Sequence, residues 1–193
     1  ARDLVSAAVG SVKHSRTRLT PSAAGFTLIE LLVVVAILAV VAAIALQALL
    51  RARVAANESS AIGSLRSIHS AHGAYSRICG RGDLLRRSAI WRCRRPGRTR
   101  GFISATLASN GIFKSGYIAN VAPDVGAVAI TAPAATCNSS KLAAVSAHFA
   151  ELHPISIGAT GERSFAIMTT GSMFFRSDGV TITPGMAGAT ALQ

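Results

Sequence analysis

Acidic residues are scarce: the chain holds eight Asp and Glu in 193 residues, against twenty Lys and Arg. So few carboxylates leave little room for the paired acid and base of hydrolytic catalysis. The nucleophile elbow GxSxG, the phosphate-binding P-loop, the zinc motif HExxH and a GxGxxG ahead of a helix are all missing. No CxxC pair occurs, and no CxxCH for haem attachment, so a cytochrome-type carrier is not expected. The five histidines are dispersed. His69 and His72 stand one helical turn apart but without an evident third ligand, and are read as surface residues rather than a metal site. The sequence therefore points away from an enzyme and implies no cofactor. Arg81-Gly82-Asp83 is too short to carry an adhesion assignment.

Proline and glycine are absent between Phe26 and Leu50, and what stands there is almost wholly apolar. From Leu31 to Leu46 sixteen residues pass without a charge or an amide. Phe26 to Leu50 is interrupted by Thr27, Glu30 and Gln47 alone among polar residues. As a helix these residues span roughly 37 Å, enough for a hydrocarbon core of about 30 Å. Lys13, Arg16 and Arg18 upstream favour a cytoplasmic N-terminus, a bias that Arg51 and Arg53 weaken. Mean hydropathy is +0.44 for the whole chain, and much of the apolar excess lies in this run.

Glu30 is the anomaly. A carboxylate inside a membrane helix costs roughly 2.5–3.5 kcal/mol on insertion scales and usually has a partner. A cleaved secretory signal would use Ala43-Ile44-Ala45 as its A-x-A site, but the apolar run exceeds the usual h-region of about 7–15 residues. An ordinary signal anchor or the buried helix of a soluble core accounts for the run. Neither accounts for the acid.

The stretch GFTLIE, Gly25 to Glu30, followed by a long apolar helix, resembles the N-terminus of type IV pilins and pseudopilins. The resemblance implies that a prepilin peptidase cuts between Gly25 and Phe26 and that the new Phe26 amine is N-methylated. It implies a role for Glu30, which would neutralise the Phe26 amine of a neighbouring subunit during filament assembly. Each of those charges would be costly if left unpaired in an apolar fibre core. Glu30 lies four residues after Phe26 and shares a helical face with it. Two features depart from the family: a proline often stands near the position of Gln47, and Gln47 cannot kink a helix as proline does. The leader, residues 1–25, is long and lacks Met, so Ala1 is expected to be a fragment end.

From Arg51 to Cys79 the apolar positions Val54, Ala61, Leu65, Ile68, Tyr75 and Cys79 fall mostly at steps of three and four. That spacing predicts that the helix continues as an amphipathic segment over 51–78. Asn57, Glu58, Ser64, Arg66 and Ser67 are assigned to its polar side. Residues 79–193 are expected to form a globular head. GYIANV (116–121), GAVAIT (126–131), AVSAHFA (144–150), RSFAIMT (163–169), SMFF (172–175) and VTIT (180–183) read as strands. Thr170-Gly171 and Asp178-Gly179 supply turns, the second a hairpin signal. The predicted fold is α+β: one long N-terminal helix packed on a small antiparallel sheet, with the other sheet face left to neighbours or solvent.

Basicity is local. Residues 81–100 hold eight arginines against Asp83, and without them the net charge of +12 falls to +5. Three readings of this window stand: a solvated loop, an Arg- and Trp91-bearing surface for nucleic acid or anionic surfaces, and an out-of-frame reading of a GC-rich gene. An extracytoplasmic head permits a disulfide among Cys79, Cys93 and Cys137. Cys79–Cys137 is favoured, since it would tie the helix end to the sheet and close a long loop, worth about 2–4 kcal/mol; Cys93 would be left free.

The resemblance thus implies a structural subunit: an inner-membrane prepilin, then a homopolymeric cell-surface filament. Its partners would be the prepilin peptidase and methylase and the pilus assembly machinery. A pseudopilin of type II secretion and a membrane-anchored binding module that never polymerises are the alternatives. The pseudopilin major subunit should carry clustered acids near its C-terminus, where this chain has only Glu162 and Asp178 in the last forty residues.

Overall fold

The computed structural model describes residues 25–78, 84–85, 102–107, 109–132 and 143–192. The chain divides into two units, Ala1–Ala42 and Ala43–Gln193. In the first, the described part is Gly25 to Ala42, which enters helix α1 (Leu28–Ile78). Thr27 caps that helix: its side-chain oxygen accepts from the Glu30 N–H at 3.3 Å, and its carbonyl accepts from Leu31 at 3.2 Å. The T-x-x-E spacing is that of a capping box, and the acid in the first turn suits the positive end of the helix dipole. The helix runs without interruption through Gln47.

The second unit is an α+β fold. Its main sheet has six antiparallel strands in the order β2 (Ile112–Lys114), β3 (Tyr117–Pro123), β6 (His148–Pro154), β7 (Ser164–Met168), β8 (Met173–Arg176) and β9 (Thr190–Ala191). A smaller sheet has the order β1 (Leu84–Leu85), β5 (Ala144–Val145), β4 (Ala129–Thr131). Strands β2 and β3 meet at a two-residue turn in which Ser115 and Gly116 both have positive φ, 49° and 75°. Such turns match the strand twist. Gly116 is needed there twice over, since a Cβ would press on Thr160 and Asn57.

The helix packs Ala61, Leu65 and Ile68 against Tyr117 and Ala119 of β3, Ala150 and Leu152 of β6, and Phe165 and Ile167 of β7. All of these are buried, so the three- and four-residue stripe is the helix face that builds the core. Tyr75 and Ala71 extend it toward Ala144 and Phe102. Full burial of a Leu side chain contributes on the order of 1.5–3 kcal/mol, so this stripe is a main source of head stability.

Four expectations need correction. VTIT is not a strand. Asp178 accepts from the Val180 N–H, and the Val180 carbonyl accepts from Ser164 Oγ. Side chains thus take the two backbone groups at Val180 that a hairpin partner would need, and the strand that joins β8 is β9 instead. AVSAHFA is two strands in two sheets, because Ser146 turns aside to bond Val128 through both its N–H and its hydroxyl. The second face of the main sheet is not left open throughout: Phe149 and Ala166 are buried there with Ile182, and half-buried Met186 and Ala189 of the C-terminal segment pack against them. Glu58 and Ser64, assigned to the polar side of the helix, are buried. Ser64 donates to the Ser60 carbonyl at 2.8 Å, which satisfies its hydroxyl within the helix.

Candidate functional site

At the N-terminal motif, Gly25, Phe26 and Glu30 are exposed, Phe26 to 84%. Every Leu, Ile and Val from Leu28 to Leu50 is also at least 48% exposed. This is an apolar surface along some 23 residues, roughly 35 Å of helix, with one carboxylate among them. An isolated chain in water would not keep such a surface bare. It needs lipid or other helices. Thr27 fixes the helix start, and this sets Glu30 in the first turn.

In the head, Glu58 reaches the two residues just before β7. Its Oε1 accepts from the N–H groups of Glu162 and Arg163 at 3.1 and 3.2 Å, and its Oε2 from Arg163 Nε and Nη2 at 2.9 and 2.5 Å. Burial acts to raise the Glu58 carboxyl, but the Arg163 guanidinium and these N–H donors outweigh it and hold the group below its ordinary value. Arg163 also lies over the rings of Phe165 and Phe175 at 5.5 and 5.9 Å. This cluster clamps the helix to the sheet. A second polar group lies on the opposite sheet face, where buried Glu151 accepts from Asn120 Nδ2 at 2.6 Å and pairs with His153 Nδ1 at 3.1 Å. Burial is the largest influence on Glu151 and raises its carboxyl.

Histidines 69 and 72 are not simply surface residues. His72 is fully buried, donates from Nδ1 to the Ile68 carbonyl at 2.9 Å, and stacks on His148 with centroids 3.9 Å apart and planes 2° from parallel. His69 is half-buried and its ring lies 5.5 Å from His148. The third histidine comes from β6, 76 positions beyond His72, which is why spacing could not find it. Burial, then the neighbouring His72 and His69, pushes the His148 imidazole down to about 2. Nitrogen lone pairs lie in the ring plane, so parallel stacked rings cannot converge on one ion. Among the described residues no group of His, Cys, Asp and Glu has metal-holding geometry.

Cys79, Cys93, Cys137 and the side chains of the arginine window 81–100 lie outside the described residues. The favoured Cys79–Cys137 link and Arg81-Gly82-Asp83 fall there too.

Comparison with curated proteins and with solved structures found no match. A family model described as the prokaryotic N-terminal methylation motif matches residues 21–46. That match spans residues 21–24, the GFTLIE stretch and most of the apolar run, as far as Leu46. The chain therefore carries the type IV pilin or prepilin-like signal at its N-terminus.

Proposed function

We propose that this protein is a structural subunit of a type IV pilus. The observation that carries the reading is the methylation motif at residues 21–46 leading into a helix whose apolar side chains from Leu28 to Leu50 are all uncovered. Prepilin peptidase would cut after Gly25, and Phe26 would become the methylated first residue. The new amine stands one helical turn before the Glu30 carboxylate. In a filament, Glu30 would pair with the amine of a neighbouring Phe26. That offsets two desolvation costs in one contact and fixes the axial register of the helices. Before assembly the same helix would anchor the subunit in the inner membrane. Exchange of lipid for like helices could then proceed without end, because the contact is heterologous and does not close. The pseudopilin alternative is less well supported. Of the two acids in the last forty residues, Asp178 is committed to Arg176.

Mass spectrometry of the mature N-terminal peptide tests processing. A peptide that begins at N-methylated Phe26 is the expected result; an intact leader, or cleavage after Ala45, would sink the reading. Glu30→Gln separates assembly from processing: the peptide should still be cut at Phe26, while sheared filaments should be lost. Filaments at normal yield from that variant would remove Glu30 from the assembly contact.

A further inference from the structure

Within the unit Ala43–Gln193, a cavity of about 590 Å³ opens between the helix and the segment that joins β6 to β7. Its volume is in the range of small-molecule sites. Leu50, Val54 and Ala55 line one wall and Gly158 and Ala159 the other, with Arg51 and Glu162 among the lining side chains. The other two charged residues there, Glu58 and Arg163, are committed to each other. Among the described residues neither Arg51 nor Glu162 forms an ion pair, with one another or elsewhere. The cavity thus presents two charges outside any ion pair, Arg51 and Glu162, beside the Glu58–Arg163 pair on a lining whose other residues are apolar.

Its position limits what could fill it. Ile44, Leu46, Leu49 and Leu50 are exposed apolar residues on the helix immediately before Arg51. The segment forming the facing wall exposes Ile155 and Ile157 as well. If the apolar run is embedded in the bilayer, as the proposed function has it, the cavity stands at the depth of the lipid headgroups. Arginine at the end of such a run places its charge at that level.

We propose that this cavity binds the headgroup of a zwitterionic phospholipid with a primary ammonium, of the phosphatidylethanolamine type. The phosphate takes Arg51, whose planar fork matches phosphate oxygens. The ammonium takes the Glu162 carboxylate. The upper acyl chain lies along Leu50 and Val54. An anionic lipid with a neutral glycerol headgroup satisfies Arg51 but brings no cation to Glu162, and a quaternary ammonium has no N–H to donate to that carboxylate. The site would hold the prepilin at a fixed depth and orientation before extraction.

The test uses the full chain reconstituted in nanodiscs of phosphatidylcholine with equal amounts of phosphatidylethanolamine and phosphatidylglycerol. Lipids released with the protein are counted by native mass spectrometry. Phosphatidylethanolamine should be retained over phosphatidylglycerol; Glu162→Gln should cut that preference by roughly fivefold to tenfold, as loss of one partly exposed charge-assisted hydrogen bond implies, and Arg51→Gln should cut retention of both lipids by a similar factor, since both carry the phosphate. Both side chains are exposed, so unchanged thermal melting of the variants is expected alongside. Equal retention of the two lipids, retention of phosphatidylglycerol alone, a preference indifferent to Glu162→Gln, or retention indifferent to Arg51→Gln would each overturn the site while leaving the membrane anchor intact. A chain that does not enter the discs would overturn the anchor, and the site with it.

Discussion

Acidification from pH 7.5 to 5 should weaken the head through His148. Its imidazole is buried, and the proton is disfavoured in the folded state down to about 2, against 6.5 for the free side chain. Above pH 6.5 both folded and unfolded chains hold it neutral, and it contributes no pH dependence. Below 6.5 the unfolded chain takes up a proton that the folded chain refuses. Stability then falls as pH falls, by about 1.4 kcal/mol per unit, until the folded value is reached. At pH 5 the accumulated loss is about 2 kcal/mol, or about 4–8 °C in Tm for a unit of this size. Other groups titrate too. Glu151, whose carboxyl is raised, acts in the opposite sense as pH falls toward its folded value, and Glu58, whose carboxyl is lowered, loses its contribution only below its ordinary value of 4.5. Both stay in place in His148→Phe, which keeps a flat ring against His72, so the difference between the two proteins isolates His148. Urea titrations of the full chain in detergent at pH 7.5, 6.5, 5.8 and 5 would measure it. The wild type should lose about 2 kcal/mol more than the variant across that range. Parallel pH slopes would refute the reasoning, since they would mean that His148 protonates in the folded head as easily as in the unfolded chain.

Glu58→Ala should cost about 2–3 kcal/mol, because two backbone N–H groups lose their acceptor while the half-exposed Arg163 guanidinium recovers water; urea titration checks it, and a loss under about 0.5 kcal/mol would place the pair among ordinary surface contacts. A double-mutant cycle with Arg163→Ala should return a favourable coupling of about 1 kcal/mol or more. Leu65→Ala removes a fully buried side chain from the centre of the helix–sheet core and should cost about 2–5 kcal/mol by the same titration. Gly161→Ala would drive a methyl into the Tyr117 ring and break the bond from its hydroxyl to the Arg163 carbonyl, a loss of about 1–3 kcal/mol that Tyr117→Phe in the same chain should partly relieve.

The helix was legible because its signals are local and repeated. Ala61, Leu65, Ile68 and Tyr75 recur at helical spacing, and each is buried where that spacing puts it. Strands with short β-branched or aromatic runs were visible too, as with β3, β7 and β8. Strand β6 blurred. His148, Phe149, Ala150, Glu151 and Leu152 are all buried in succession, so the alternation that marks a half-exposed strand is missing. The hairpin signal at Asp178-Gly179 misled for a different reason. The aspartate side chain that favours a turn also caps the Val180 N–H, and Ser164, far off in sequence, takes the Val180 carbonyl. Sequence pattern saw the turn; it could not see the competitor.

The two groups of polar residues differ in the same way. What Gly25, Phe26, Thr27 and Glu30 do inside one chain is complete within six positions: a cap, a first turn, and a carboxylate four residues after Phe26, where the proposed cleavage would free an amine. The partner proposed for Glu30 lies in another copy, and it is the resemblance to pilins, carried by these same six residues, that names it. Glu58 finds Arg163 at a separation of 105 residues, and His72 finds His148 across the helix–sheet interface. Read along the chain, each looks like one more polar residue on a helix. Only the pairing of β6 and β7 under the helix brings their partners within reach. A carboxylate or imidazole on the inner side of that stripe must be paired or neutral to be tolerated there, and the two cases divide between these outcomes: Glu58 is paired, His148 is held neutral. Acid should therefore reach the histidine cluster before the clamp, because the unfolded imidazole begins to charge near 6.5 and the carboxylate only near 4.5.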